Sequence, residues 1–200
     1  INLDILHGCA QMCPGCFIPR KNLTNPDHLK DLYDILVKGQ YHPDEIVIGP
    51  TDIFDAQNFE EIMNHEYMFK LYEISAIGFT STLLQPYWLI EEKLQKIWSL
   101  YRHIKRVPDI DFKIVLDVDK YLDGELDEWF DKLKLFKEGS VQFRVNYYKG
   151  VFDRISYNDL CQKAYDEFNA PVVITPSFLT DRNARGKVEQ HLANFRKDLV

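Results

Sequence analysis

An excess of positive charge, long apolar stretches and a dispersed set of cysteines are all missing from this 200-residue sequence. No apolar run approaches the roughly 18 residues that suggest a membrane span, and no basic segment followed by a short apolar stretch marks a secretory signal. We therefore expect a cytoplasmic location and no membrane partner. The formal net charge of −7 and a pI near 5.4 argue against nucleic acid as a partner.

The composition is that of one ordinary globular domain, because 46% hydrophobic residues can form a sizeable core and 28% charged residues can cover it. The chain opens at Ile1 rather than at a methionine, and its first residues already have the pattern of a buried strand. We therefore expect residues 1–200 to form a single domain that belongs to a longer chain.

Cysteine is scarce and unevenly distributed. Of the four cysteines, Cys9, Cys13 and Cys16 lie close together, whereas Cys161 stands alone far downstream. A disulfide framework would spread its cysteines differently. The short spacings, in an acidic chain without a signal peptide, favour metal or redox chemistry in a reducing compartment. We expect Cys161 to be structural.

Short β-like runs alternate with longer segments in which apolar residues recur every three or four positions, and this βα pattern occurs six times. The strands are predicted at residues 2–7, 45–49, 76–82, 112–119, 141–147 and 171–177. Strict alternation implies an α/β fold with parallel strands, either a doubly wound sheet or a βα barrel. Because a full eightfold barrel takes about 250 residues, six units favour a (βα)6 partial TIM barrel.

Each predicted helix has one apolar face. The first helix is expected to begin after Asn25, Pro26 and Asp27 and to end near Gly39. Aromatic residues of the third and fourth helices recur at helical spacing, so we expect them to lie in the core. They are Trp98, Tyr101, Trp129, Phe130 and Phe136.

The cysteine loop follows the first predicted strand. In parallel α/β proteins the active site lies at the carboxyl ends of the strands, and Cys9, Cys13 and Cys16 occupy such a position. Glycine and proline residues between them let the backbone wrap closely around a bulky inorganic centre. Three thiolates bind three irons of a four-iron cluster and leave one iron open for chemistry.

The spacing C-x3-C-x2-C at the end of the first strand of a βα barrel resembles the signature of the radical S-adenosylmethionine (SAM) superfamily. The resemblance spans the whole chain, because the core fold of that family is a (βα)6 partial barrel. It implies that Cys9, Cys13 and Cys16 are catalytic and bind a [4Fe–4S] cluster, with SAM chelating the fourth iron. It also implies reductive cleavage of SAM to a 5′-deoxyadenosyl radical that abstracts hydrogen from a substrate.

The resemblance leaves the subgroup and the substrate open, whether a small molecule or a peptide or protein, and it implies an electron donor such as flavodoxin or ferredoxin. Many members have an aromatic residue before the last cysteine, where this chain has Gly15, with Phe17 after the cysteine. The Cys-Pro-Gly-Cys-Phe form is similar to the loop of activases for glycyl-radical enzymes, particularly that for anaerobic ribonucleotide reductase. The alternative is a zinc-binding structural or interaction domain, in which His7 or Cys161 supplies a fourth ligand.

The turn after the second predicted strand is a candidate SAM site. The family usually has a Gly-Gly-Glu-Pro-like turn there, whose backbone meets the amino group of SAM. This chain has Gly49, Pro50, Thr51 and Asp52 at that place. The resemblance makes Gly49, Thr51 and Asp52 cofactor-binding candidates, and an ordinary turn with a helix cap is the alternative.

Strands four and five supply further candidates through their alternation. In strand five, Gln142, Arg144 and Asn146 share one face, which should line the lumen because the helix layer needs apolar contacts. Arg144 is a candidate for binding SAM or the substrate, since a buried charge requires a partner. Asn146, on the same face, is a further cofactor-binding candidate. In strand four, Lys113 and Asp117 should face inward.

The resemblance assigns the ribose hydroxyls of SAM to polar residues near the end of strand four, which makes Asp117 a candidate. An internal ion pair between Asp117 and Arg144 is the alternative. Weaker lumen candidates are Thr80, Thr82, Thr175 and Ser177, together with the polar loop at residues 181–186.

Overall fold

The computed structural model of the chain describes residues 1–3, 5–6, 26–101, 110–116, 125–136, 140–147, 156–168 and 172–176. Several functional candidates lie outside the described residues, as does the sixth predicted helix. These candidates are His7, Cys9, Cys13, Cys16, Asp117, Ser177 and residues 181–186. Within the described ranges, none of the helices combines the length and the apolar character that a membrane crossing needs.

Six strands form one sheet in which every pair of neighbours is parallel. They are β1 Asn2–Leu3, β2 Glu45–Asp52, β3 Ala76–Ser81, β4 Ile110–Leu116, β5 Ser140–Tyr147 and β6 Val172–Pro176. Their order in the sheet is their order in the sequence. A doubly wound sheet reverses its strand order at a switch point, and the described strands show no such reversal. The predicted α/β alternation with parallel strands is confirmed.

The described helices alternate with the strands. They are α1 His28–Gly39, α2 Phe59–Met63, α3 Glu66–Tyr72, α4 Tyr87–Tyr101, α5 Glu125–Leu133 and α6 Tyr157–Phe168. A single helical stretch was predicted between β2 and β3, whereas the structure has two short helices there, α2 and α3. The second begins independently because His65 Nδ1 accepts a hydrogen bond from the Tyr67 backbone N–H at 3.3 Å and caps it.

The end of α1 differs slightly from the prediction. Gly39 is the last helical residue, and Gln40 rather than the glycine adopts the left-handed conformation, with φ of 53°. The Tyr41 backbone N–H donates to Leu36 O at 2.9 Å and closes the helix end. Leu29 and Leu36 are buried, and Leu32 and Tyr33 are partly buried against the core, so α1 has the single apolar face that its sequence predicts.

One face of the sheet, which carries Phe112 and Phe143, is covered by helices. The Phe112 ring centroid lies 4.8 Å from that of Phe136 and 5.8 Å from that of Trp98. The Trp129 ring of α5 lies 5.9 Å from that of Phe143. The aromatic residues predicted for the core are confirmed there: Tyr101, Trp129, Phe130 and Phe136 are buried, and Trp98 is partly buried against them.

The opposite face of β2, β3 and β4 carries polar side chains. Glu45 Oε2 of β2 and Lys113 Nζ of β4 form an ion pair that passes over β3. A Cβ at Gly78 of β3 would collide with Glu45 Oε1, so the missing side chain leaves room for the pair. Lys113 was predicted to point away from the helices, and the next residue, Ile114, is fully buried in the core, as that alternation requires.

Candidate functional site

The candidate SAM-binding residues after the second predicted strand form a tight backbone turn inside β2. Gly49 has φ of +129°, a conformation that residues with side chains rarely adopt. A Cβ at Gly49 would lie 3.1 Å from both the backbone N and the backbone O of Thr51. Because of both restrictions, the turn requires glycine at position 49.

The turn interrupts the pairing of β2 with β3. Ile48 pairs with Phe79 and Asp52 pairs with Thr80, so residues 49–51 are inserted opposite a single step of β3. The strand was predicted to end at Gly49, but it continues to Asp52 through this irregularity. Inserted residues leave the regular ladder of hydrogen bonds. Backbone hydrogen bonding to β3 resumes after the turn, where the Ile53 backbone N–H donates to Thr80 O at 3.0 Å.

The turn lies beside the residues that lead from β1 toward the cysteine loop. A Cβ at Gly49 would be 3.8 Å from Leu6 Cδ1. Asn58, which precedes α2, donates from Nδ2 to Ile5 O at 2.8 Å. Leu6 precedes Cys9 by only three positions. The Gly49 turn therefore lies next to Leu6, three residues before the first cysteine of the motif.

Asp52 is buried, with 4% of its surface exposed, and its carboxylate is the centre of a hydrogen-bonded group. Oδ1 accepts from the Phe54 backbone N–H at 2.9 Å. Oδ2 accepts from the Thr82 backbone N–H at 2.7 Å, from Thr82 Oγ1 at 2.9 Å and from Ser81 Oγ at 3.1 Å. We call Asp52, Ser81, Thr82 and the Phe54 backbone N–H the Asp52 cluster. It connects the end of β2 to the end of β3.

Two effects act on the charge of Asp52 in opposite directions. Burial raises the pKa of the carboxyl group above its ordinary value, and this effect dominates. Hydrogen bonds from Thr82, Phe54 and Ser81 favour the charged form and offset part of the rise. Such a balance is typical of a buried carboxylate whose donors come from its own chain.

Lys93 of α4 brings a positive charge to the segment after β2. Its Nζ donates to Phe54 O at 2.7 Å and lies 4.8 Å from the Phe59 ring centroid. Burial lowers the pKa of Lys93, while the charges of Asp52 and Asp55 oppose that effect. In the same segment, Asp55 Oδ1 accepts from Gln85 Nε2 at 2.7 Å. The segments after β2 and β3 are thus connected at more than one point.

The segment after β3 is held in an unusual backbone conformation. Leu83 has φ of +58°, in the left-handed region that bulky residues avoid, although its side chain is fully buried. The Leu83 backbone N–H donates to Ser81 Oγ at 3.0 Å. The Ser81 hydroxyl therefore accepts from Leu83 while it donates to Asp52.

Two side chains of helix α5 donate hydrogen bonds to backbone carbonyls of the same segment. Trp129 Nε1 donates to Thr82 O at 3.1 Å, and Lys132 Nζ donates to Leu83 O at 3.1 Å. Lys132 also forms an ion pair with Glu128 at 2.9 Å, although only 5% of the Lys132 side chain is exposed. The strand-end residues of β3 are consequently fixed by β2 and by α5 together.

Arg144 and Asn146 lie on β5, as predicted. In the backbone register Arg144 pairs with Val115 of β4 and with Val173 of β6, and Asn146 pairs with Thr175. Their binding of SAM stays a prediction. Lys113 of β4 pairs in register with Gln142, which belongs to the predicted polar row, and forms the ion pair with Glu45 described above.

The metal-binding predictions depend on residues outside the described ranges. Among the described residues, no group of three or more His, Cys, Asp or Glu side chains is arranged to hold a metal ion. Cys161, one candidate for a fourth zinc ligand, lies on α6 and is partly buried. The cluster-binding role of Cys9, Cys13 and Cys16 stays a prediction.

The sequence alone does not predict the connection between Asp52 and its partners. It indicates Thr82 only as a lumen residue and does not single out Ser81, Asn58 or Lys93. A signal was present for the hydroxyl residues, because neighbouring parallel strands end at one edge of a sheet. Ser81 ends β3, with Thr82 directly after it, where Asp52 ends β2. No comparable signal existed for Asn58 or Lys93, whose side chains bind backbone carbonyls distant in sequence.

The Gly49 turn, the Asp52 cluster and residues Ile5 and Leu6 are neighbours at one edge of the sheet. No protein-family model, curated protein or solved structure matches the chain. This edge of the sheet and the spacing of the cysteines are the features that indicate a function.

Proposed function

We propose that the chain is the catalytic core of a radical SAM enzyme in which Cys9, Cys13 and Cys16 hold a [4Fe–4S] cluster. The observation that carries the proposal is the C-x3-C-x2-C loop shortly after β1 of a parallel βα sheet. The next strand carries a glycine-dependent turn beside the chain that enters this loop. Loops at this edge form the active sites of parallel α/β proteins.

We also propose that the sheet curves into a (βα)6 partial TIM barrel. Parallel strands in consecutive order place all right-handed crossover helices on the same face of the sheet. The other face, with the ion pair between Glu45 and Lys113, then becomes the interior. A polar interior of this kind suits a polar ligand such as SAM.

The donor set fits an iron–sulfur cluster with an open position. A closed structural cluster takes four thiolates, whereas the motif supplies three, so one iron is left for an external ligand. When bound, the cluster and SAM supply a one-electron reductive cleavage that gives methionine and a 5′-deoxyadenosyl radical able to abstract hydrogen from a substrate.

The chain's own residues bind and orient the reactants. The turn at Gly49 and Thr51 offers backbone groups to SAM. Polar side chains come from Asp117, which follows β4 in the sequence, and from Arg144 and Asn146 of β5. The proposed substrate is a small molecule or a peptide or protein. A reduced flavodoxin or ferredoxin is the proposed class of electron donor.

Anaerobic reconstitution with iron and sulfide tests the proposal. We expect about four irons per chain and formation of 5′-deoxyadenosine when dithionite and SAM are added. The Cys13→Ala variant should lose both. Cys161→Ala removes one thiol from α6, away from the motif, and should keep both.

The same experiment separates the proposal from a zinc domain. One tightly bound zinc and no iron after anaerobic purification would contradict the radical SAM assignment. Loss of that zinc in both Cys13→Ala and Cys161→Ala would identify Cys161 as the fourth ligand.

A further inference from the structure

We propose that Asp52 is a positioning residue: it clamps the ends of β2 and β3 together and so fixes the Gly49 turn that receives SAM. This inference rests on the function proposed above. It differs from the expectation that Asp52 touches the cofactor, because here the carboxylate acts only through the backbone of the turn.

The carboxylate oxygens of Asp52 are already engaged by this chain. Oδ1 accepts one backbone N–H, from Phe54, and Oδ2 accepts the backbone N–H and hydroxyl of Thr82 and the hydroxyl of Ser81. The side chain is buried. Oδ2 already accepts three donors, so a ligand that took this oxygen would leave a buried donor without its partner, which is costly. The geometry therefore favours a role inside the protein.

The location of Asp52 explains what it positions. Residues 49–51 have no register partner in β3, so the ladder of backbone hydrogen bonds between β2 and β3 does not hold them. Before the turn, Ile48 is paired with Phe79. After the turn, the chain is held by the Asp52 side chain and by the hydrogen bond from Ile53 to Thr80. Asp52 thus anchors the inserted segment, residues 49–51, at its carboxyl end.

An aspartate is required at position 52 because each of its two oxygens accepts a backbone N–H, from Phe54 and from Thr82. Asparagine has nearly the same shape but only one side-chain oxygen. In either amide orientation, its NH2 group would face one of the two backbone donors. Asp52→Asn therefore releases one end of the clamp with minimal change in volume.

The test compares SAM binding in the reconstituted 200-residue chain and in Asp52→Asn. Equilibrium dialysis without reductant gives the Kd for SAM, and 5′-deoxyadenosine formation with dithionite gives KM and kcat. We expect Kd and KM to rise about tenfold, equivalent to about 1.4 kcal/mol. Iron content, and kcat at saturating SAM, should stay near the wild-type values.

Two controls exclude simpler explanations. Asp55→Asn removes a carboxylate charge from the same segment but keeps an oxygen for Gln85, so the Kd for SAM should be unchanged. Ile97→Val weakens the buried core in α4. General destabilisation of this kind lowers the active fraction and leaves Kd and KM unchanged.

Ser81→Ala distinguishes positioning from direct contact, and it also serves if Asp52→Asn does not fold. This variant leaves the carboxylate in place but removes the hydroxyl that connects Asp52 with Leu83. A positioning role predicts weaker SAM binding in Ser81→Ala, whereas direct contact between Asp52 and SAM predicts wild-type affinity.

The outcomes separate this inference from the proposed function. Wild-type affinity for SAM in Asp52→Asn, or an equal loss in Ile97→Val, would overturn the positioning role while the radical SAM assignment stood. If the wild-type chain itself holds no iron and binds no SAM, the proposed function fails, and the inference fails with it.

Discussion

At Gly78 the absence of a side chain leaves room for the Glu45 carboxylate on the polar face of the sheet. Lys113 is 12% exposed and Glu45 27% exposed, so their ion pair is shielded more than a surface pair. Glu45 Oε1 is buried and has no hydrogen-bond partner within the described residues. Lys113 holds this carboxylate through Oε2. A group placed next to Oε1 would therefore push the carboxylate away from Lys113.

Gly78→Ala should lower the free energy of unfolding by about 1 kcal/mol, because the new methyl group displaces the Glu45 carboxylate from Lys113. Urea denaturation followed by circular dichroism measures the change. In a Glu45→Ala background the methyl group meets no carboxylate, so the same substitution should be neutral or slightly stabilising. An equal loss in both backgrounds would show that the ion pair is not the cause.

At the scale of the secondary-structure element, α5 does more than cover the sheet. It packs Trp129 against Phe143 of β5, and it also supplies donors to the backbone carbonyls that follow β3. These carbonyls belong to the segment in which Leu83 adopts its left-handed conformation. A conformation of this kind costs about 1–3 kcal/mol and persists when surrounding contacts determine it. Helix α5 therefore helps to hold the strand end on which the Asp52 cluster depends.

Trp129→Phe should lower the free energy of unfolding by about 2–4 kcal/mol, since it removes buried volume and leaves Thr82 O without the indole donor. Guanidinium denaturation provides the measurement. Trp98→Phe is the matched control, because it makes the same chemical change at a residue that contacts Phe112 through its ring. The control should cost about 1 kcal/mol. Equal losses in the two variants would indicate that the hydrogen bond contributes nothing.

At the scale of the whole molecule, the residues that the structure describes already form a buried core. It takes in apolar residues from Ile5 to Ala164 contributed by the described strands and helices. A zinc knuckle differs in this respect, because metal binding supplies the folding free energy of such small sites. We therefore expect the predicted cluster to be carried by a fold whose core does not depend on metal binding.

The triple variant Cys9→Ala, Cys13→Ala, Cys16→Ala should therefore keep a mixed helix and strand circular dichroism spectrum and should unfold cooperatively. It should bind no iron. The wild-type chain purified in air, without its cluster, is the control and should give the same spectrum. A triple variant that is unfolded, with folding of the wild type dependent on a metal, would favour the structural zinc alternative.

The sequence by itself determined the alternation of strands and helices, because apolar spacing depends on local geometry alone. It identified the aromatic core residues Trp129 and Phe130 for the same reason, and their burial is confirmed. It also named Gly49 and Asp52 at the end of β2. The cysteine spacing predicts a cluster from sequence only, because Cys9, Cys13 and Cys16 lie outside the described residues.

Only the tertiary structure decided how these residues are used. The left-handed Leu83, the requirement for glycine at position 49 and the donors that surround Asp52 arise where segments distant in sequence meet. Tertiary packing also selected a sheet with consecutive strand order, which βα alternation does not distinguish from a doubly wound one. Local patterns specify which elements form, whereas long-range hydrogen bonds and packing determine which side chains become neighbours.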